Sequence, residues 1–71
     1  MNTRTTTKLI HEGDYVAEVD VELIDSDKGW SPYLTLDEAL KLDDVRELLR
    51  QGRVRDAAKQ ARVYSLHRVA V

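Results

Sequence analysis

Three carboxylates stand at alternate positions in the first half of the chain: Glu18, Asp20 and Glu22. Side chains two residues apart in an extended strand point to the same face, within about 7 Å of one another. Carboxylates at that distance could act as a general acid and base, or could hold a magnesium ion. Either use needs a pocket, which the outward face of a strand rarely provides in a chain of 71 residues. We therefore expect these carboxylates to form a solvated strand face.

The other residue types that carry out catalysis follow no recognisable pattern. The chain has no cysteine, which excludes disulfide bonds, thiolate nucleophiles and cysteine zinc sites. Its two histidines, His11 and His67, lack the spacing of paired metal ligands. Neither a Gly-x-Ser-x-Gly motif nor a glycine-rich phosphate loop is present. The sequence therefore predicts no catalytic residue, no metal site and no cofactor, and a protein that is not an enzyme.

Basic side chains are concentrated in the second half of the chain. Residues 1–44 contain four basic and eleven acidic side chains, whereas residues 45–71 contain seven basic and two acidic ones. Clustered positive charge attracts the phosphate backbone of nucleic acids. The plain alternative is a solvated helix face, since helices commonly carry arginine and lysine outward. The residues that would bind nucleic acid are Arg46, Arg50, Arg53, Arg55, Lys59 and Arg62.

Trp30, Pro32 and Tyr33 form a local aromatic cluster. Tryptophan and tyrosine contribute strongly to the free energy of protein–protein association, so Trp30 and Tyr33 are predicted to bind a partner protein. The alternative is that Trp30 covers the open end of a thin core. A homodimer interface would satisfy both interpretations.

The clearest structural signal is an alternation of apolar and polar residues over residues 15–24. A period of two predicts a strand with one buried face and one acidic face. Residues 5–10 suit a preceding strand because threonine and isoleucine are β-branched. Residues 11–14 supply a turn in which Gly13 can adopt a positive φ. Residues 5–24 are thus predicted to form a long antiparallel hairpin, whose inward positions are Tyr15, Ala17, Val19, Val21 and Leu23.

The second half of the chain begins with the signals for a short edge strand and a helix. Pro32 cannot donate a ladder hydrogen bond, so residues 30–34 are expected to form a short edge strand or an extended loop. Thr35 and Glu38 then match a capping box, in which the threonine side chain accepts from the Glu38 amide while the Glu38 side chain reaches back. We expect a helix to begin at residue 36.

That helix has two apolar sides. On a helical wheel one side holds Leu36, Ala39 and Leu40, and the nearly opposite side holds Leu42, Val45, Leu48 and Leu49. We predict a short helix over residues 36–41 and a second one over residues 44–51, capped by Asp43 and ended by Gly52. One continuous helix covered on both sides is the alternative.

A third helix is predicted over residues 54–61, with Arg55, Lys59 and Arg62 along its outer side. Residues 63–71 are rich in β-branched and aromatic side chains, which favours a final strand that pairs with the hairpin. The alternative is a helix-turn-helix between Gly52 and Val69, in which Arg62 would stand at the turn position that prefers a small residue.

These elements predict an α+β fold: an antiparallel hairpin or small sheet packed by two or three short helices, with a C-terminal strand. We expect one domain over residues 1–71, with residues 1–4 frayed. The longest apolar runs are two or three residues, so we predict no membrane span, no signal peptide and a cytoplasmic protein. A chain this small buries little apolar surface, so we also expect a homodimer.

Residues 14–50 resemble the N-terminal part of HicB-type antitoxins, small prokaryotic proteins that bind and neutralise a ribonuclease toxin. The resemblance is carried by Asp14-Tyr15-Val16-Ala17-Glu18-Val19, by Gly29-Trp30 and by Thr35-Leu36-Asp37-Glu38-Ala39-Leu40. It implies a toxin-like protein partner and assigns no residue to the contact. Our leading hypothesis is therefore a small, antitoxin-like interaction protein that occupies a partner's surface. The alternative is a nucleic-acid-binding module that uses the basic C-terminal helices.

Overall fold

An antiparallel sheet with a helix against one face carries the fold in our computed structural model, which describes residues 3–25 and 32–70. The elements in chain order are β1 (Thr3–Glu12), β2 (Tyr15–Ile24), β3 (Tyr33–Leu34), α1 (Leu36–Arg50), α2 (Val54–Ala57) and β4 (Arg62–Ser65). The predicted α+β class is confirmed, as is the short edge strand near Tyr33. None of the helices in the described residues is long and apolar enough to cross a membrane.

Strands β1 and β2 form the predicted hairpin. They pair over ten residues each, from Thr3 opposite Ile24 to Glu12 opposite Tyr15. Gly13 has φ +59°, which suits the first central position of a two-residue type II′ turn. Strand β1 begins at residue 3 instead of residue 5, so Thr3 and Arg4, which we expected to be frayed, are paired with β2. It also includes His11 and Glu12, which the sequence assigned to the turn. The reason is that β2 is extended over its whole length and offers a pairing partner at both ends.

The predicted alternation of β2 is confirmed. Ala17, Val19 and Val21 are at most 1% exposed, whereas Asp20 and Glu22 lie on the exposed face. The helix packs on the inward face and buries it. The buried residues of the described chain are Ile10, Ala17, Val19, Val21, Val45, Leu49 and Ala57.

The prediction of two helices between residues 36 and 51 is wrong, because α1 is continuous from Leu36 to Arg50. Thr35 caps it as predicted, its Oγ1 accepting from the Glu38 amide at 3.3 Å. We had placed a break between the two apolar sides because we expected each side to be covered. Only the side with Val45 and Leu49 packs on the sheet, so no break is needed.

Two side chains of α1 complete the second edge of β2. On that edge β3 pairs with Leu23 and Ile24, and β4 pairs with residues 15–18. Between the two short strands, the Glu22 amide donates to Glu38 Oε2 at 2.7 Å, and Lys41 Nζ donates to the Asp20 carbonyl at 2.7 Å. The Glu38 carboxylate is therefore bound to the sheet, although the capping box predicted that it reaches back to its own helix.

The C-terminal region differs most from the prediction. Helix α2 covers Val54–Ala57 and not residues 54–61. The predicted C-terminal strand that pairs with the hairpin is confirmed, but β4 covers only Arg62–Ser65 and does not include residues 66–70. Arg62 thus belongs to a strand, and the helix-turn-helix alternative is wrong. Ala57 is fully buried, and the turns that follow it bring Ala61 and Val63 against the core. The early end of α2 lets the chain return to the edge of β2.

Candidate protein-interaction site

Helix α1 has one covered and one uncovered apolar side. On the covered side Val45 and Leu49 are buried, and their neighbours Leu42 and Leu48 pack against the core. On the other side Leu36 is 73% exposed. Leu40, one turn further, is 54% exposed. Two leucines of one helix therefore remain in water although the same helix supplies the core.

Tyr33 stands next to these leucines in the chain. It ends the strand pairing opposite Ile24, three residues before Leu36, and it is 50% exposed. Because Tyr33 is paired with Ile24 while Leu34 packs against the core, the Tyr33 side chain lies on the outer face of the sheet, away from α1. What we call the helix surface therefore consists of Leu36 and Leu40. Trp30, the other residue that we predicted to bind a partner, lies outside the described residues.

Carboxylates border the helix surface. Asp37 follows Leu36 in the chain, and Asp43 stands one turn beyond Leu40 on the same side of α1; both are exposed. Neither makes an ion pair with a described residue. An apolar centre with an acidic border fits a partner that has an apolar groove and basic side chains around it.

A cluster of polar side chains lies on the outer face of the sheet, with Arg62 at its centre. Its guanidinium contacts both Asp20 oxygens at 2.8 and 2.9 Å and Glu18 Oε1 at 3.2 Å. The Tyr64 hydroxyl donates to Glu18 at 2.7 Å, and Thr7 Oγ1 donates to Asp20 at 2.9 Å. Three strands thus contribute to one outer-face cluster, defined by Thr7, Glu18, Asp20, Arg62 and Tyr64.

The outer-face cluster stabilises the charged forms of its members. The hydrogen bonds from Arg62 and Thr7 hold the pKa of Asp20 far below its usual range. The hydrogen bonds from Tyr64 and Arg62 lower the pKa of Glu18. Both carboxylates raise the pKa of Arg62. A carboxylate held in its ionised form by a guanidinium is a poor general acid, so the arrangement favours a structural use of these carboxylates over acid–base catalysis.

We expect Arg62→Ala to flatten the acid limb of the stability curve. Folding lowers the pKa values of Asp20 and Glu18. Their contribution to the free energy of unfolding is therefore present above about pH 4, and it is lost as the pH falls through the pKa values of the folded state. Without Arg62 both pKa values return toward normal. Urea unfolding between about pH 2 and 7 should show a wild-type advantage at pH 7 that shrinks toward pH 2.

The size of that advantage is limited by solvent, because the side chains of Arg62 and Asp20 are 51% and 49% exposed. Arg55→Ala is the control, since it removes an exposed cation that makes no ion pair with the described residues. A wild-type advantage that is equal at pH 2 and pH 7 would contradict the electrostatic account.

Most basic residues that we predicted to bind nucleic acid contact carboxylates. Arg50 pairs with Glu47 one turn earlier. Arg53 and Lys59 both pair with Asp56, at 2.8 and 3.5 Å. These pairs place a negative charge beside each cation and reduce the field that a phosphate would meet.

The structure brings the six predicted basic residues to different places. Arg62 lies in the outer-face cluster, on a strand and away from the helices. Arg46 and Arg55 are exposed and make no ion pair with the described part of the chain. An interaction with nucleic acid would therefore begin at Arg46 and Arg55, and this alternative stays a prediction.

Each of the two histidines makes a hydrogen-bond contact with a residue two positions away. His11 Nε2 lies 2.9 Å from the Gly13 carbonyl oxygen. His67 Nε2 lies 3.3 Å from Ser65 Oγ. In residues 3–25 and 32–70, no group of three histidine, aspartate or glutamate side chains is placed to hold a metal ion.

Comparison with protein-family models, curated proteins and solved structures finds no match for this chain. The helix surface is defined by the exposure of Leu36 and Leu40. Its signal was present in the sequence as the two opposed apolar sides of residues 36–49, but we interpreted both as core. The outer-face cluster had no such signal, because Arg62 is 42 positions away from Asp20 in the chain.

Proposed function

We propose that this chain is a small, non-enzymatic protein that acts by binding a partner protein through the helix surface. The observation that supports the proposal is the exposure of Leu36 and Leu40 on one side of a helix whose opposite side forms the core. Burying one leucine side chain contributes about 1.5–3 kcal/mol. Burial of the two leucines in an interface would therefore stabilise a complex by a free energy that the isolated chain does not gain.

The geometry favours a helix-in-groove interaction. Leu36 and Leu40 stand one turn apart, which is the anchor spacing by which an amphipathic helix enters an apolar groove. The partner would present an apolar groove flanked by lysine or arginine, opposite Asp37 and Asp43.

The resemblance to HicB-type antitoxins supports a more specific class of partner. Residues 35–40 are among those that carry the resemblance, and they form the first turn of α1 with its exposed leucines. We propose an antitoxin-like role in the cytoplasm, in which the helix surface covers a toxin-like protein.

The test uses the product of the reading frame next to this gene. We expect the two purified proteins to form a complex and the double variant Leu36→Ser, Leu40→Ser to weaken it about 100-fold, since each lost leucine contact is worth about 1.5 kcal/mol. Isothermal titration calorimetry measures the affinity. The matched control is Leu9→Ser, which alters a leucine that is 68% exposed on the outer face of β1.

Two results would contradict the proposal. One is a complex of unchanged affinity with the double variant, whose fold is verified by circular dichroism. The other is retention of RNA or DNA by the wild-type chain that weakens steeply with salt and is lost in Arg46→Ala, Arg55→Ala. The second result would support the nucleic-acid alternative, because a protein interface of apolar side chains depends little on salt.

A further inference from the structure

The outer edge of β1 is the longest stretch of backbone that lacks a pairing partner in residues 3–25 and 32–70. The hydrogen bonds of β2 show which β1 groups are free. The Glu22 amide and the Asp14 and Asp20 carbonyls all point to the far edge of β2, so its odd-numbered residues bond to β1. The register then directs the backbone groups of five β1 residues away from β2: Thr3, Thr5, Thr7, Leu9 and His11.

This edge lacks most of the usual protection. Proteins protect free edges with proline, with bulges or with a covering element. Strand β1 contains no proline, and its register with β2 runs without a bulge from Thr3 to Glu12. Its protective features are Lys8 and Arg4, two charges on the inward face that stay exposed. The edge can therefore accept another strand, provided that the pairing register places no positive charge opposite Lys8.

We propose that two copies of this chain pair antiparallel through β1, with Thr7 opposite Thr7 of the second copy. The charges select this register. A twofold axis at Lys8 would place two ammonium groups at the closest kind of strand pair, about 4.5 Å between Cα atoms. An axis at Thr6 would place Arg4 opposite Lys8. An axis at Thr7 places Lys8 opposite Thr6 and Arg4 opposite Ile10, so no like charges face each other.

The register with the twofold axis at Thr7 also pairs the largest number of β1 residues. It pairs residues 3–11 of both copies, whereas an axis nearer either end of β1 shortens the paired stretch. All five residues with outward backbone groups fall within it. The two sheets become one continuous sheet, with both helices on the same face.

The helices leave room for this pairing. The C-terminal turn of α1 lies near the turn end of β1, where Arg50 is within electrostatic reach of Glu12. The register places the turn ends of the two copies at opposite ends of the joined strands, so these helix ends stay apart. The helix surface lies toward β3, on the other side of β2, and remains accessible. The dimer would thus present two copies of the helix surface.

The register is tested by a single cysteine, because the natural chain has none. Thr7→Cys should oxidise to a covalent dimer, since a hydrogen-bonded pair places the two Cα atoms about 5.5 Å apart, within the range of a disulfide. Thr5→Cys is the matched control, because its counterpart lies about 13 Å further along the second strand. We expect disulfide formation at least tenfold faster for Thr7→Cys on non-reducing gels.

The pairing itself is tested by sedimentation. We expect the 8.1 kDa chain to sediment as a dimer at about 100 µM, and Thr5→Pro to weaken association at least tenfold because proline removes an outward N–H. Thr5→Ala keeps that N–H and should stay dimeric. A wild-type chain that is monomeric at about 1 mM overturns the proposal. Equal oxidation of the two cysteine variants overturns the register.

A dimer that persists in Thr5→Pro but dissociates in Leu36→Ser, Leu40→Ser also overturns the β1 interface, and it would assign self-association to the helix surface. The proposal does not depend on the partner interaction proposed above. Loss of partner binding with an intact dimer, or the reverse, distinguishes the two.

Discussion

Leu49→Ala is expected to destabilise the fold by about 2–5 kcal/mol, the range for a buried leucine that leaves a cavity. Leu49 is 3% exposed and is the one leucine among the buried residues of the described chain. A domain of this size has a total free energy of unfolding of about 4–10 kcal/mol. The loss therefore removes a large part of the stability, and urea unfolding followed by circular dichroism measures it.

Leu36→Ala is the matched control for this experiment. It makes the same chemical change in the same helix, at a position that is 73% exposed. We expect a change within about 0.5 kcal/mol. Similar losses for the two variants would contradict the assignment of one covered and one uncovered side to α1, and with it the basis of the helix surface.

Gly52→Ala is expected to cost about 1–2 kcal/mol, the penalty of a left-handed backbone for an L-residue with a side chain. Gly52 has φ +76° and follows the C-cap of α1. Its amide donates to the Leu49 carbonyl at 3.0 Å, and the next amide donates to the Leu48 carbonyl at 2.8 Å. This is the Schellman arrangement, in which glycine is favoured because it has no Cβ.

The control is Gly52→Asn, since asparagine tolerates this conformation better than alanine does. A Cβ at this position would meet no atom within 4 Å, so the cost arises from the backbone and not from a clash. We expect a smaller loss for asparagine. Thermal unfolding resolves the difference, because about 1 kcal/mol shifts the melting temperature of such a domain by about 4–8 °C. Equal losses would indicate that φ is not the cause.

Predictions from the sequence succeeded where neighbouring residues decide the structure. The period of two in β2, the positive φ of Gly13 and the Thr35 cap depend on residues within a few positions of each other, and all three are present. The end of α1 at Gly52 is of the same kind. In each case the local geometry alone distinguishes the favoured conformation from its alternatives.

The predictions failed where a distant partner decides. Residues 58–61 leave the helical conformation because the chain must turn to pair Arg62 with Glu18 on β2. Glu38 binds the Glu22 amide and not its own cap, because the gap between β3 and β4 leaves that amide without a strand partner. No spacing within residues 35–62 could indicate either outcome.

By itself, the sequence determined the hairpin, the capped helix and the two apolar sides of that helix, since each follows from side-chain period and backbone preference along one segment. Only the tertiary structure decided which apolar side is covered, where Arg62 is bound and which edge of the sheet stays free. The physical reason is that burial and strand pairing are properties of surfaces that meet. A helix with two apolar sides has one sheet to pack on, and the side that remains in water becomes the candidate for binding another protein.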